Sequence, residues 1–240
     1  MIPRYKRKEI SEIWEPNNKF NIWLKIEIFI CEALSKKGEI PKNSLKNIKN
    51  KASFNIDRID EIEKEVKHDV IAFLTNVAEF VGEDSRFIHK GVTSSDILDT
   101  AFSIQLKQSC KIIKKELKDL IASLKFKAIE HKNTTCIGRS HGIFAEPTTF
   151  GLKMLSRYCE FERHYRRLCE AEKQISVCSI SGAVGTYANI DPSIEKYVAK
   201  KLDLKLEDVS TQIIPRDRHA FLFSTLALIA SSIENLAVEI

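Results

Sequence analysis

A chain of 240 residues, 43% of them hydrophobic, can bury an ample core in one large domain or two. Its 38 basic and 33 acidic side chains leave a formal net charge of only +5, and the one lysine concentration, residues 36–51, has no aromatics interleaved to stack on bases, so nucleic acid is set aside as a partner. Eight glycines and six prolines are few for this length, and with abundant Lys, Glu, Leu and Ile they favour an all-α fold.

The first ten residues are charged and lack an apolar stretch, so no export signal is expected. The longest apolar run, residues 221–230, already contains Ser224 and Thr225 and is too short to span a bilayer. The expectation is a soluble, cytoplasmic protein with no membrane partner. The cysteines at 31, 110, 136, 159, 169 and 178 show no C-x-x-C spacing and read as reduced, mostly buried thiols.

In chain order, residues 1–18 read as an irregular arm carrying Arg4 and Tyr5. Residues 19–36 read as a helix stopped by Gly38 and Pro41, and 36–51 as a solvated connector. Residues 57–81 place Ile59, Ile62, Val66, Val70, Phe73, Val77 and Phe80 at steps of three and four. This is one helical stripe, interrupted on neighbouring faces by Lys67, His68 and Asp69 and ended by Gly82. Thr93 and Asp96 fit a capping box, and the heptad-like seam Leu106, Cys110, Ile113, Leu117, Leu120, Leu124, Ala128 predicts a helix over 94–131, roughly 55 Å long. A second long pattern starts at Pro147, a favoured first helical position, and a shorter helix covers 193–202. A third long pattern starts at Pro215 and runs through Leu222, Leu226, Ile229, Ile233, Leu236 and Ile240 without a stop signal. The expected organisation is a small helical N-terminal domain, 1–92, and the first part of a long-helix bundle, 93–240, with the rest of a longer protein to follow. Stripes this long are expected to be buried between subunits.

Between the first two long patterns lies GRSHGIFAEPTTFG, residues 138–151, with three glycines, a proline and His141 followed by Gly142. Glycine beside a polar ring lets the backbone turn sharply and another molecule come close. From spacing alone the stretch fits either a helix–helix connector whose histidine caps something or a catalytic segment.

This stretch closely resembles the histidine-bearing segment of the adenylosuccinate lyases, a family within the fumarase/aspartase superfamily of fumarate-releasing lyases. MIPRY at the N-terminus, Lys67-His68-Asp69, HKGVTSSD from His89, SGAVGTY from Ser181 and RDRHA from Arg216 resemble further segments of that family, in its order and from end to end. The resemblance implies a long-helix bundle of the fumarase/aspartase type, a homotetramer with active sites shared by three subunits, phosphorylated purine-pathway nucleotides as substrates, and no metal or organic cofactor. The dispersed histidines and cysteines form no metal-ligand spacing of their own.

The implied reaction is a β-elimination that breaks a C–N bond and releases fumarate. It needs a base for the proton beside a carboxylate, donors for the charge that builds there, and an acid for the departing nitrogen. A substrate phosphate needs cations and N–H groups as well. By resemblance His141 is the acid, an imidazole being able to lose and regain its proton near neutrality. His68, supported by Asp69, binds phosphate or the leaving group. Lys67 stands where the family often has arginine, keeping the charge without the two-pronged grip. Arg4, Tyr5, His89 and Gln212 are binding residues by resemblance alone. Thr93 and Ser94 also qualify independently, since a helix N-terminus offers free N–H groups and a favourable dipole, though plain capping explains them too. Arg216 and Arg218 fall near the implied pocket or are surface charge at a helix start. Gly182 and Gly185 are expected to permit a turn. His131 and His164 read as solvated, and His219 has no assigned role. The base is expected beyond Ile240. Competing readings are another fumarate-releasing lyase of the superfamily and a noncatalytic helical scaffold.

Overall fold

The computed structural model describes residues 2–240. After a 3₁₀ turn at Pro3–Tyr5 come α1 (Lys8–Trp14), α2 (Pro16–Lys36), α3 (Lys42–Lys51), α4 (Ile56–Val66), α5 (Asp69–Val81) and a second 3₁₀ turn, Gly82–Phe87. Then follow α6 (Ser94–Glu130), β1 (Thr135–Ser140), β2 (Ile143–Thr149), α7 (Phe150–Ile175), β3 (Val177–Cys178), α8 (Pro192–Leu202), β4 (Lys205–Leu206) and α9 (Asp217–Glu239). The fold is essentially all-α, as composition suggests.

Two compact units are formed, one from residues 1–109 and 176–215, the other from 110–175 and 216–240. In the first, α2 is the hub. Phe20 and Trp23 meet edge-on at 5.2 Å, and Phe73 from α5 stacks on Phe20 at 5.6 Å. Around them Ile26, Ile30, Ile48, Ile59, Val70 and Val77 are wholly buried. Removing a ring this deeply enclosed costs about 3–5 kcal/mol. β3 and β4 form a short parallel pair, Val177 opposite Lys205 and Cys178 opposite Leu206.

In the second unit α7 and α9 pack along their lengths, with the β1–β2 hairpin at the start of α7. The seam of α7 buries Met154, Phe161, His164, Leu168, Ala171 and Ile175. That of α9 buries His219, Leu222, Thr225, Ile229, Ser232 and Leu236. The α9 seam is rotated from the expected apolar line: Ser232 lies inside while Ile233 is 45% exposed. Polar pairing decides this, because Ser232 Oγ sits 2.8 Å from His164 Nε2 and donates to Glu160 Oε1 at 2.6 Å. His164 is therefore buried rather than solvated, and burial together with the Arg167 charge lowers its pKa. By length and composition alone, with a mean hydropathy of 1.6, α9 is long and apolar enough to cross a membrane.

The structure corrects several element assignments. The N-terminal arm contains α1, anchored by buried Ile13, whose carbonyl accepts from Gln105 Nε2 at 2.8 Å. The lysine-rich connector contains α3, because Ile48 is fully buried while the lysines face outward, Lys49 pairing with Glu32 at 2.6 Å. The stripe at 57–81 is two helices, with Lys67 in the left-handed region at φ 54° between them. Stripe arithmetic missed the break because α4 and α5 bury their apolar faces in the same core. Pro147 lies in β2 opposite Ile137, not at the first position of a helix. Only Cys31, Cys110 and Cys178 are buried, Cys136 and Cys169 are partly so and Cys159 is exposed.

Candidate active site

His141 and Gly142 form the two-residue tip of the β1–β2 hairpin, pairing Ser140 with Ile143. Both have positive φ, 53° and 77°, as a type I′ turn requires. Glycine meets that demand without strain, whereas a histidine there stands in an uncommon conformation. The ring is exposed, flanked by Ile143 and Phe144, which are 69% and 74% exposed. At the other end of the hairpin Gly151 starts α7 against the end of α6, where a Cβ would stand 2.7 Å from Lys132 Cα. Residues 138–149 thus belong to a β-hairpin between α6 and α7, and Phe150 and Gly151 already lie in α7. The hairpin's signal was the His-Gly pair between residues of extended propensity.

Apart from Arg216 and Arg218, the remaining candidates belong to the first unit. Lys67 ends α4, and His68 is the N-cap of α5, its Nδ1 accepting from Ile71 N–H at 3.4 Å. A ring that accepts at Nδ1 carries its proton on Nε2, and Nε2 lies 3.4 Å from Ser94 Oγ. The His68 and Ser94 side chains, 26 residues apart, therefore meet. Asp69 does little to orient this ring: its Oδ1 accepts from Val70 N–H at 2.8 Å and stays 3.5 Å from His68 Nδ1. The cap bond holds the imidazole instead.

Ser94 opens α6. The capping box is present in its reciprocal half, Asp96 Oδ2 accepting from Thr93 N–H at 2.9 Å. Asp96 does more than cap. It also accepts from the N–H groups of Ser181 and Gly182, each at 3.1 Å, tying the helix start to the glycine-bearing turn. Burial pushes its carboxyl up to about 6, against the pull of those donors and the nearby His89.

His89 has φ 63° and is clamped by buried Glu27, which accepts from its Nδ1 at 2.6 Å and its backbone N–H at 3.0 Å. Burial lowers the His89 pKa, but the hydrogen bond and charge of Glu27, helped by Asp96, outweigh it and raise the value. Glu27 was missed in sequence. Its signal is a carboxylate in line with Trp23, Ile30 and Leu34, where only a paired charge is tolerated.

Arg4 and Tyr5 lie in the first 3₁₀ turn, the guanidinium 4.8 Å from the Tyr5 ring centre, and Tyr5 is 68% exposed. Gln212 is exposed on the loop before α9. In the second unit Arg218 donates to the Gln174 carbonyl at 3.0 Å, in the last turn of α7, a favourable place for a cation. Among the described residues no group of three His, Cys, Asp or Glu side chains is placed to hold a metal ion.

A family model described as lyase matches residues 4–240. The chain belongs to this lyase family. It is 52% identical over all 240 residues to an adenylosuccinate lyase of Bacillus subtilis (strain 168), and 49% identical to one of Staphylococcus saprophyticus, covering 56% of each. The chain thus spans little more than half the length of these curated relatives. Among solved structures, a fumarate lyase from Mesorhizobium sp. BNC1 superposes over 98% of this lyase-family chain and 57% of its own, with TM-score 0.92 and 25% identity. A 3-carboxy-cis,cis-muconate lactonizing enzyme from Pseudomonas putida shares the fold, with TM-score 0.90 over 98% of the chain and 56% of its own, at 23% identity.

Proposed function

We propose that this lyase-family chain is the N-terminal part of an adenylosuccinate lyase, eliminating fumarate from adenylosuccinate to give AMP and from succinylaminoimidazole carboxamide ribotide to give AICAR. The observation that carries this is the 52% identity over the whole chain to a relative of that activity. The open presentation of His141 and the meeting of His68 with Ser94 support it.

In this reading His141 protonates the departing nitrogen, and an exposed ring at a hairpin tip can reach into a site completed by other copies of the chain. His68 donates from Nε2 to the substrate phosphate or leaving group, with Ser94, Thr93 and the free N–H groups at the start of α6 receiving anionic oxygens. Lys67, held in the left-handed region, adds a cation beside His68, and Arg4, Tyr5, His89 and Gln212 complete the binding set. The base lies outside these 240 residues, so the chain alone is inactive. In the assembled homotetramer the domains are 1–92 and a bundle beginning at 93, working in the cytoplasm without a cofactor.

A continuous absorbance assay of the full-length enzyme on adenylosuccinate, its imidazole-carboxamide counterpart and argininosuccinate tests the proposal. Turnover of the first two and not the third is expected. Activity on argininosuccinate alone would overturn it, and fumarate release by the isolated 240 residues would show that the base lies within them.

A further inference from the structure

Gln212 lies on an exposed loop, and an amide on a free loop is a poor recognition group, since ordering it on binding costs entropy. The loop is tied down on both sides, two residues before and two after the glutamine. Before it, Ser210 Oγ closes a triangle of hydroxyls with Ser179 and Ser181, 2.8 Å from each, while Ser179 and Ser181 are 3.3 Å apart. Ser179 and Ser181 are buried, and the Thr100 hydroxyl of α6 donates to the Ser179 carbonyl at 3.2 Å. After it, Ile214 is fully buried and its N–H donates to Asp99 Oδ2 at 2.8 Å. Asp99 follows Asp96 by about one turn of α6, the same turns that carry Ser94 at their start.

We infer that Asp99 and Ser210 are positioning residues for Gln212, holding its loop on the first turns of α6 so that the amide is set in place before substrate arrives. This deepens the proposed function and rests on its reading of Gln212 as a substrate-binding residue. Neither residue touches substrate. Each acts through the backbone of residues 211–213, clamped at one end by Asp99 of α6 and at the other by Ser179 and Ser181, which Thr100 and Asp96 of the same helix hold.

The test has two arms. In the full-length enzyme, Ser210→Ala and Asp99→Ala are expected to raise KM for adenylosuccinate roughly fivefold to tenfold while leaving kcat within about twofold, because the lost contact serves binding and not chemistry. Ser210→Thr keeps a hydroxyl and Asp99→Asn keeps an acceptor, so both are expected to restore KM. In the second arm, hydrogen exchange without substrate is expected to quicken at residues 211–213 in Ser210→Ala while α2 exchanges as in wild type. An unchanged KM in both alanine variants, unchanged exchange at 211–213, or an equal rise in α2 would overturn the inference. A wild-type KM in Gln212→Ala would remove the role of Gln212 and the inference with it. That result is distinguishable from a wild-type enzyme that fails to turn over adenylosuccinate, which sinks the proposed function and leaves the exchange arm to judge the clamp.

Discussion

At the scale of single residues, two histidines sit in backbone conformations that histidine seldom adopts, and each is held there by something nameable. His141 is held by the hairpin, whose two-residue tip needs positive φ at both positions. Asparagine tolerates the left-handed region well, so His141→Asn should fold as the wild type does. Turnover of the full-length enzyme should fall roughly 10²- to 10⁴-fold, the usual range for a lost acid. Near-normal kcat at an unchanged thermal midpoint would take His141 out of the mechanism. His89 is held by Glu27, whose hydrogen bond and charge raise its folded pKa despite burial. A histidine raised in the folded state contributes stability that is fully present below its unfolded value, about 6.5, and fades as pH climbs through the folded value. The urea midpoint of wild type relative to His89→Gln should therefore be higher at pH 6 than at pH 9. A difference independent of pH would mean that the Glu27–His89 contact is not an ion pair.

At the scale of elements, the break between α4 and α5 places a lysine in a strained conformation beside an N-cap histidine. Lys67 takes the left-handed cap position that glycine usually fills, and His68 follows as the N-cap of the next helix. Lys67→Gly should relieve about 1 kcal/mol of backbone strain and raise the urea midpoint. It should also weaken substrate binding, since the cation goes with it. A variant both more stable and unimpaired in KM would show that Lys67 has no part in binding. The same junction was hidden in sequence because two consecutive helices that bury their faces in one core keep a continuous three–four rhythm across the break. The hairpin was hidden for a different reason. Seven extended residues holding one proline cannot be told from a helix start by periodicity, and only the pairing of Ile137 with Pro147 decides the matter.

At the scale of the whole molecule, the second unit exposes more apolar surface than a finished core would. On α9, Phe223 is 52% exposed, Leu228 52% and Ile233 45%; on α7, Leu152 is 57%. The opposite face of α9 is already satisfied by α7, so the apolar residues left outside are the surface that a second copy would cover if the proposed homotetramer forms through this unit. Leu228→Lys with Ile233→Lys should leave the folding of this unit within about 0.5 kcal/mol per substitution, the usual range for exposed sites. The pair should lower the mass of the full-length enzyme in sedimentation equilibrium. An unchanged assembly would place the subunit contact elsewhere.

What the sequence determined by itself was local and additive: the long seam of α6, the cap at Thr93 and Asp96, and the stops at Gly38 and Gly82. These follow from spacing along one chain, which needs no knowledge of what packs against it. The tertiary structure alone decided which charges are buried and which turns hold them. Glu27 reaches His89 across 62 positions, Asp96 reaches Ser181 across 85, and Ser232 displaces Ile233 from the core because His164 and Glu160 stand opposite. A hydrogen bond between distant positions has no period and leaves no pattern in the chain. Its partners become legible only once folding has brought them within 3 Å.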